Sequence, residues 1–230
     1  MILYNYTMRN KEILTLNDLF KSEHIYSLVT GLVLVGFSLI VYHFANEYAF
    51  EYLTRSTTNY VGDVFLDNLP IVDLNFLIIE TALIAMVAVT VFIIFCRSHY
   101  VLFSLKALAI FNITRAFFIS LTHIGIYPGQ TNPGIGLIDG VYSYYNFETG
   151  FFFSAHTGLP FFFALIFWKE KKLRYAFLAL SFVFAVGVLL SHVHYSIDVL
   201  AAPFMAYGIF KVAEYIFPHD FEFIGTKHVQ

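Results

Sequence analysis

The sequence from Ile25 to Phe44, IYSLVTGLVLVGFSLIVYHF, contains no lysine, arginine, aspartate or glutamate. A helix needs about 20 mostly apolar residues to cross the roughly 30 Å hydrocarbon core of a bilayer. The stretch therefore predicts a transmembrane helix. It starts late, and no small-residue cleavage pattern such as Ala-x-Ala follows it, so we interpret it as an uncleaved span rather than a signal peptide.

The whole composition agrees with a membrane protein. The chain of 230 residues is 59% hydrophobic and 13% charged, whereas a soluble domain is about 45–50% apolar and about 25% charged. These proportions exclude a disordered chain, a nucleic-acid-binding protein and an ordinary soluble globule. The single cysteine, Cys96, cannot form an internal disulfide and says nothing about the redox compartment.

Five further apolar stretches are candidate spans, and we predict an all-α membrane protein with six transmembrane helices in one bundle. They run from about Leu74 to Phe95, Val101 to Leu121, Phe151 to Trp168, Tyr175 to Leu190 and Ile197 to Phe217. No linker or repeat divides the chain, so residues 25–217 form one predicted membrane domain. Residues 1–24 and 218–230 are predicted to be cytosolic segments on either side of it.

The distribution of lysine and arginine predicts the orientation. If the chain crosses the membrane six times, all of its 13 basic residues except Arg55 and Arg115 fall on one side. Cytoplasmic loops are enriched in Lys and Arg, so both termini are predicted to be cytosolic. The loops at 45–73 and 122–150 are then exoplasmic or lumenal.

Ionisable residues gather at the exoplasmic ends of the predicted helices. His156 begins the fourth span, and Arg115 lies in the outer half of the third. His192, His194 and Asp198 lie where the fifth span meets the sixth. Such residues are costly in or beside a membrane and are usually functional, so their shared depth predicts one polar site.

His194 and Asp198 are four residues apart, which places them on one face if the segment is helical. Asp198 would then accept the proton of one ring nitrogen of His194 and leave the other as a nucleophile or base. His156, from another helix, would act as a general acid. Two histidines and a carboxylate suit phosphoryl transfer, with Arg115 binding the phosphate oxygens.

Other interpretations of these residues remain open. Each interfacial histidine can be a hydrogen-bonded structural residue, and Arg115 can extend to the membrane surface. His192, His194 and Asp198 can be metal ligands, although a His-x-His spacing suits a strand better than a helix; we favour a site without metal. Glu80, in the middle of the second predicted span, is predicted to make a structural hydrogen bond inside the bundle.

Two motifs resemble those of the sphingomyelin synthase family, the lipid phosphotransferase branch of the type 2 phosphatidic acid phosphatase (PAP2) superfamily. Residues 154–157, Ser-Ala-His-Thr, resemble the family's Ser-Gly-His-Thr. Residues 194–199, His-Tyr-Ser-Ile-Asp-Val, resemble His-Tyr-Thr-x-Asp-Val. Arg115, with Thr122 seven residues on, is similar to a third motif, and residues 67–70, Asp-Asn-Leu-Pro, lie near the place of a Leu-Pro-Asp segment.

The resemblance covers residues from about 59 to 217 and implies a PAP2-like bundle of six spans. It implies that His194 attacks phosphorus, that Asp198 orients it and that His156 donates or accepts the proton. The active site would face the exoplasmic or lumenal side and use no cofactor. Candidate substrate-binding residues on these motifs are Arg115, Thr122, Ser154 and Tyr195.

The sequence departs from the family at positions that bear on specificity. Ala155 stands where Gly is usual, and Glu148 is displaced from the acidic residue of a family Cys-Gly-Asp segment. The phosphatase branch has an arginine six residues before the nucleophilic histidine, where this chain has Val188. A phosphate monoester carries about two negative charges and a diester one, so a site with a single arginine favours a diester substrate.

The aromatic loop at 141–147, with Tyr127, is a candidate for binding a quaternary ammonium such as choline by cation–π contact. An aromatic belt at the membrane interface is the other interpretation of this loop. The candidate headgroup residues are Tyr142, Tyr144, Tyr145 and Glu148.

We therefore predict an integral-membrane enzyme that moves a phospho-alcohol headgroup, such as phosphocholine, from a glycerophospholipid to ceramide or diacylglycerol through a phosphohistidine intermediate. One alternative is a lipid phosphate phosphatase or phospholipase C-like hydrolase that uses the same residues. Another is a transporter or scaffold with a degenerate site, against which the intact His156, His194 and Asp198 argue. The expected partners are the donor phospholipid, the acceptor lipid alcohol and the bilayer, with no nucleic acid and no oligomeric state predicted.

Overall fold

The computed structural model describes residues 14–55, 59–74, 78, 80–130 and 151–224. Throughout these residues the regular structure is helical, which confirms the predicted all-α class for this part of the chain. Short 3₁₀ turns at Asp18–Phe20 and Ser98–Tyr100 precede the first and third helices. The α-helices in chain order are α1 Ser22–Arg55, α2 Thr81–Cys96, α3 Val101–Leu121, α4 Ala155–Ile166, α5 Lys171–Leu190, α6 Ser196–Ile216 and α7 Pro218–Ile224.

Four of these helices, α1, α3, α5 and α6, are long and apolar enough to cross a membrane. The other two predicted spans are shorter: α2 has 16 residues and α4 has 12. At 1.5 Å per residue these give about 24 Å and about 18 Å, less than a hydrocarbon core of roughly 30 Å. Glu80 directly precedes α2 in helical backbone conformation, and its buried Oε2 has no hydrogen-bond partner among the described residues, so the structural hydrogen bond predicted for Glu80 is not made by this oxygen.

The core lies where α3, α4 and α6 meet, with α1 packed against α3 and α5 against α4. α4 and α6 are in direct contact at Gly158, where an added Cβ would lie 3.5 Å from the Cβ of Ala202, an ordinary van der Waals distance. Small residues allow such close helix packing in membranes. The space between the helices is filled by aromatic side chains that are at most 2% exposed: Phe103, Phe111, Phe153, Phe162 and Phe167.

The outer faces of the long helices are apolar and exposed. Phe182, Phe204 and Tyr215 are 70%, 79% and 86% exposed, on α5 and α6. Soluble monomers rarely expose large continuous apolar surfaces, and lipid contact accounts for them here. Together with the helix lengths, this surface describes a helical membrane protein.

A buried polar cluster joins helices at one end of the bundle. Lys106 Nζ donates to Asp220 Oδ2 at 2.5 Å and to Ser27 Oγ at 2.8 Å, and the Ser27 hydroxyl donates to Asp220 Oδ1 at 2.7 Å. The cluster brings the starts of α1 and α3 next to α7. The segment predicted to be a tail therefore folds onto the bundle as far as Ile224.

Candidate active site

The predicted catalytic residues and Arg115, which was predicted to bind substrate, meet at the other end of the bundle. Arg115 lies near the end of α3, His156 in the first turn of α4, and Asp198 in the first turn of α6. His194 lies in the short turn that joins α5 to α6. Residues that are up to 83 positions apart in the sequence therefore converge.

His194 and Asp198 form a buried pair. His194 Nδ1 lies 3.4 Å from Asp198 Oδ2, and the two side chains are 5% and 0% exposed. The residues are neighbours, as their spacing predicts, but His194 precedes the helix and does not share a helical face with Asp198. Instead Asp198 reaches back across the start of α6, where Oδ2 also accepts the N–H of Tyr195 at 3.1 Å. A carboxylate there is stabilised by the free N–H groups of the first turn.

This pairing determines the chemistry available to His194. A carboxylate next to Nδ1 favours the tautomer with the proton on that nitrogen, which leaves Nε2 with its lone pair. Asp198 is itself held in place, because its backbone carbonyl accepts the N–H of Ser154 at 3.1 Å. His194 is thereby oriented by a rigid contact between the starts of α4 and α6.

His156 is the second imidazole of the site. The ring centroids of His156 and His194 are 6.0 Å apart, with an angle of 64° between the rings. Phe184 packs against His156 at 6.1 Å and Phe151 against His194 at 6.5 Å. Nδ1 of His156 is buried and has no hydrogen-bond partner among the described residues.

Arg115 lies inside the bundle rather than extending to the membrane surface. Its side chain is 4% exposed, and Nε donates to the carbonyl of Phe153 at 2.8 Å. The guanidinium carbon lies 5.3 Å from the centroid of the Tyr42 ring. The hydrogen bond to Phe153 fixes Arg115 beside the segment that leads into His156.

The predicted substrate-binding residues on the motifs have different surroundings. Ser154 is buried and its hydroxyl caps α4 by accepting the N–H of Thr157 at 3.4 Å. The hydroxyl of Tyr195 donates to the carbonyl of Gly125 at 2.7 Å, so this side chain ties the loop after α3 to the turn between α5 and α6. Thr122 is the exposed C-cap residue of α3.

Asp63 supports the site, and the sequence analysis did not identify it. Its Oδ2 accepts the N–H of Ser196, the first residue of α6, at 2.7 Å. Its Oδ1 accepts the N–H groups of Phe65 and Leu66 at 2.9 and 3.1 Å. An aspartate whose side chain accepts the N–H two residues later forms a turn that the local sequence can indicate. No local pattern predicts the contact with Ser196, 133 positions away.

We expect the contribution of Asp63 to stability to depend on pH. Burial raises the pKa of Asp63, but the backbone hydrogen bonds from Ser196, Leu66 and Phe65 outweigh it and hold the pKa below its ordinary value of 3.8. The stabilisation is therefore present above the unfolded pKa and is lost as the pH falls through the folded one. Asp63→Asn should lower the free energy of unfolding by about 1–2 kcal/mol at neutral pH.

The measurement is thermal unfolding in detergent across a pH series, with Glu23→Gln as the control at an exposed carboxylate. The difference between wild type and Asp63→Asn should shrink below about pH 4. A difference that stays constant over the series would contradict this account.

Tyr127 belongs to a cluster beside the turn between α5 and α6. Its hydroxyl donates to Asp67, and this hydrogen bond raises the pKa of Tyr127 to about 12. Its ring packs edge-on to those of His192 and Tyr195, at 5.3 and 5.8 Å. The other candidate headgroup residues, Tyr142, Tyr144, Tyr145 and Glu148, lie outside the described residues.

In the part of the chain that the structure describes, no three His, Cys, Asp or Glu side chains are grouped so that they could hold a metal ion. Comparisons with protein-family models, with curated proteins and with solved structures found no match for this chain.

Proposed function

We propose that this protein is an integral-membrane lipid phosphotransferase with a PAP2-like arrangement of six spans. It moves a phospho-alcohol headgroup, such as phosphocholine, from a glycerophospholipid to ceramide or diacylglycerol. The observation that carries the proposal is the pair of imidazoles 6.0 Å apart, one of them beside a buried carboxylate, at one end of an apolar bundle. A nucleophile and an acid on either side of one phosphorus atom need this arrangement.

In the first half of the reaction, Nε2 of His194 attacks the phosphorus of the donor phosphodiester. The N–P bond forms and the bond from phosphorus to the diacylglycerol oxygen breaks. His156, in its protonated form, gives its proton to that oxygen, so that diacylglycerol leaves as a neutral alcohol. Asp198 stabilises the positive charge that develops on the His194 ring.

In the second half, the hydroxyl of the acceptor lipid attacks the same phosphorus. His156 now takes the hydroxyl proton, the N–P bond breaks, and both histidines return to their starting states. Water in place of the lipid alcohol would give hydrolysis by the same steps. The aromatic rings of Phe184 and Phe151 beside the two imidazoles favour transfer over hydrolysis, because an apolar surrounding disfavours water at the intermediate.

The charge of the site supports a diester substrate. Val188 stands where the phosphatase branch has an arginine. It is 0% exposed and lies in an apolar cluster with Ile78, Val193 and Val199. An unpaired cation in that cluster would be costly to bury. Arg115 would then bind the phosphoryl oxygens by charge-assisted hydrogen bonds.

We expect Arg115→Lys to lower kcat/KM by about ten- to a hundredfold, the value of a hydrogen bond to a charged group. A lysine ammonium is a point donor and cannot reproduce the planar guanidinium that bonds both Phe153 and a phosphate. Turnover of a labelled phospholipid measures the effect, and Arg174→Lys, in the first turn of α5, is the control. Near-normal turnover of Arg115→Lys would leave Arg115 with a packing role only.

The contacts at the ends of the bundle support the predicted topology. The Lys106 cluster and the Arg97–Glu170 ion pair, with Nε 2.9 Å from Oε1, join the helix ends that the charge distribution assigns to the cytosol. We expect a tag at either terminus to be reached only from the cytosolic side in sealed vesicles of known orientation. Tags on opposite sides would contradict an even number of spans.

The function is tested by incubating purified protein with headgroup-labelled phosphatidylcholine and ceramide or diacylglycerol. Thin-layer chromatography separates the outcomes. Label on the acceptor lipid supports transfer, whereas label released as free phosphocholine identifies a hydrolase. No product with any of several headgroups, in protein that remains folded, would reject both.

A further inference from the structure

His192 has an unusual backbone. In the described part of the chain it is the one non-glycine residue with a positive φ, 54°. Residues with a Cβ rarely adopt this left-handed region, which glycine and asparagine tolerate best. The turn from α5 to α6 depends on it, since Val193 N–H bonds back to the carbonyl of Val188 at 3.0 Å on the other side of His192.

The imidazole of His192 is also buried, and no hydrogen bond to a described residue offsets the loss of its hydration. The residue is 3% exposed, and neither ring nitrogen has a hydrogen-bond partner among the described residues. Buried polar atoms are nearly always paired, because an unpaired one destabilises the folded state. The ring instead packs against the edge of Tyr127, whose centroid is 5.3 Å away.

Two unfavourable features in one residue call for a reason other than stability. Asparagine or glycine would make the same turn with less strain, and an apolar side chain would leave no unpaired nitrogen. Such costs are concentrated at binding and catalytic sites. His192 lies two residues before His194, in the turn that begins the site, and its neighbour Tyr127 packs against Tyr195 in the loops beyond the helices.

We propose that His192 is a substrate-binding residue whose ring N–H donates a hydrogen bond to a phosphate oxygen of the lipid headgroup. This inference rests on the proposed function and adds a second donor to Arg115. The position next to the loops, rather than between the spans, is where a headgroup would lie while the acyl chains remain in the bilayer. The burial of the ring strengthens the bond, since the local dielectric is low.

The test compares His192→Asn and His192→Gly with wild type, using short-chain dihexanoyl phosphatidylcholine in detergent as the probe. Three quantities are measured: the melting temperature without lipid, the Kd for the probe, and kcat/KM for headgroup transfer. We expect both variants to keep or raise the melting temperature, because both relieve the backbone strain at a φ of 54° and glycine also removes the unpaired imidazole. We expect the affinity and kcat/KM to fall by about ten- to a hundredfold. His219→Asn, at a side chain that is 73% exposed on α7, is the matched control and should change none of the three.

A lower melting temperature in both variants would overturn the proposal, because the imidazole would then stabilise the fold. Unchanged probe affinity would overturn it as well. The outcome is distinguishable from a failure of the proposed function. Weaker probe binding by His192→Asn, with no transfer by the wild type, would reject phosphotransfer and keep His192 as a binding residue. Equal transfer by wild type and His192→Asn would keep phosphotransfer and reject His192 as a binding residue.

Discussion

Replacing His194 with alanine is expected to abolish headgroup transfer, with a loss of at least about 10⁴-fold in turnover. In the proposed mechanism this side chain supplies the nitrogen that bonds to phosphorus, so no phosphohistidine intermediate can form without it. The same variant should carry no label after incubation with headgroup-labelled phospholipid. The reaction is quenched in base, because phosphohistidine is labile in acid, and label on the protein is counted.

The neighbours of His194 should have distinct effects. His156→Ala should slow turnover by about 10²–10⁴-fold, the usual value of a positioned acid or base. Asp198→Asn should lose about 10⁴-fold, because an amide beside Nδ1 favours the wrong tautomer. His156→Ala still has the attacking nitrogen, so label trapped on His194 is expected in that variant. The losses should not add, because the three residues act as a unit.

The control is His219→Ala, at an exposed histidine on α7, at the end of the bundle opposite the site. It should keep wild-type turnover and wild-type labelling. If His194→Ala retained turnover while folding normally, the mechanism proposed for this site would be wrong.

Breaking the Lys106–Asp220 pair should have the largest effect on stability. The two charges are 2.5 Å apart and almost fully buried. Removing one partner of a buried pair leaves an uncompensated charge, which costs about 3–5 kcal/mol. We therefore expect Asp220→Ala to lower the melting temperature in detergent strongly, and to release α7 from the start of α3.

Two comparisons separate this effect from general sensitivity to mutation. Lys106→Met combined with Asp220→Leu should recover most of the stability, since replacing both charges with apolar groups is often neutral. Lys211→Ala breaks the exposed Lys211–Glu214 pair, 2.6 Å apart, and should change stability by at most about 1 kcal/mol. Equal losses for Asp220→Ala and Lys211→Ala would contradict the importance of burial.

The bounds predicted from the sequence are correct where the apolar stretch and the helical backbone conformation end at the same residue. For α3 the predicted and observed bounds are the same, Val101–Leu121. α1 continues to Arg55, well beyond the predicted end at Phe44, because backbone hydrogen bonds do not stop where hydrophobic residues do. α4 ends at Ile166 although the apolar sequence continues through Trp168, since a turn into α5 already begins at Phe167.

The residues of the site were predicted from their chemical types and spacing. The contacts that bring them together are not the ones that this spacing indicated. The His194–Asp198 pair followed from their spacing, but the cap at the start of α6 brings them together rather than a shared helical face. Asp63 was missed because its contact with Ser196 joins two distant loops. Ser154 and Tyr195 were predicted to bind substrate, and the contacts observed for them hold the helix start and the loops in place.

The sequence alone determined that this is a helical membrane protein and which chemical groups its site can use. Apolar content and helix-length runs are properties of single segments, so they can be recognised without knowing the fold. Tertiary structure alone decided that His156 and His194 are neighbours, that Arg115 is bonded to Phe153, and that Lys106 is neutralised by Asp220. Each of these contacts joins separate helices, and their distances depend on how the helices pack, which no local pattern encodes.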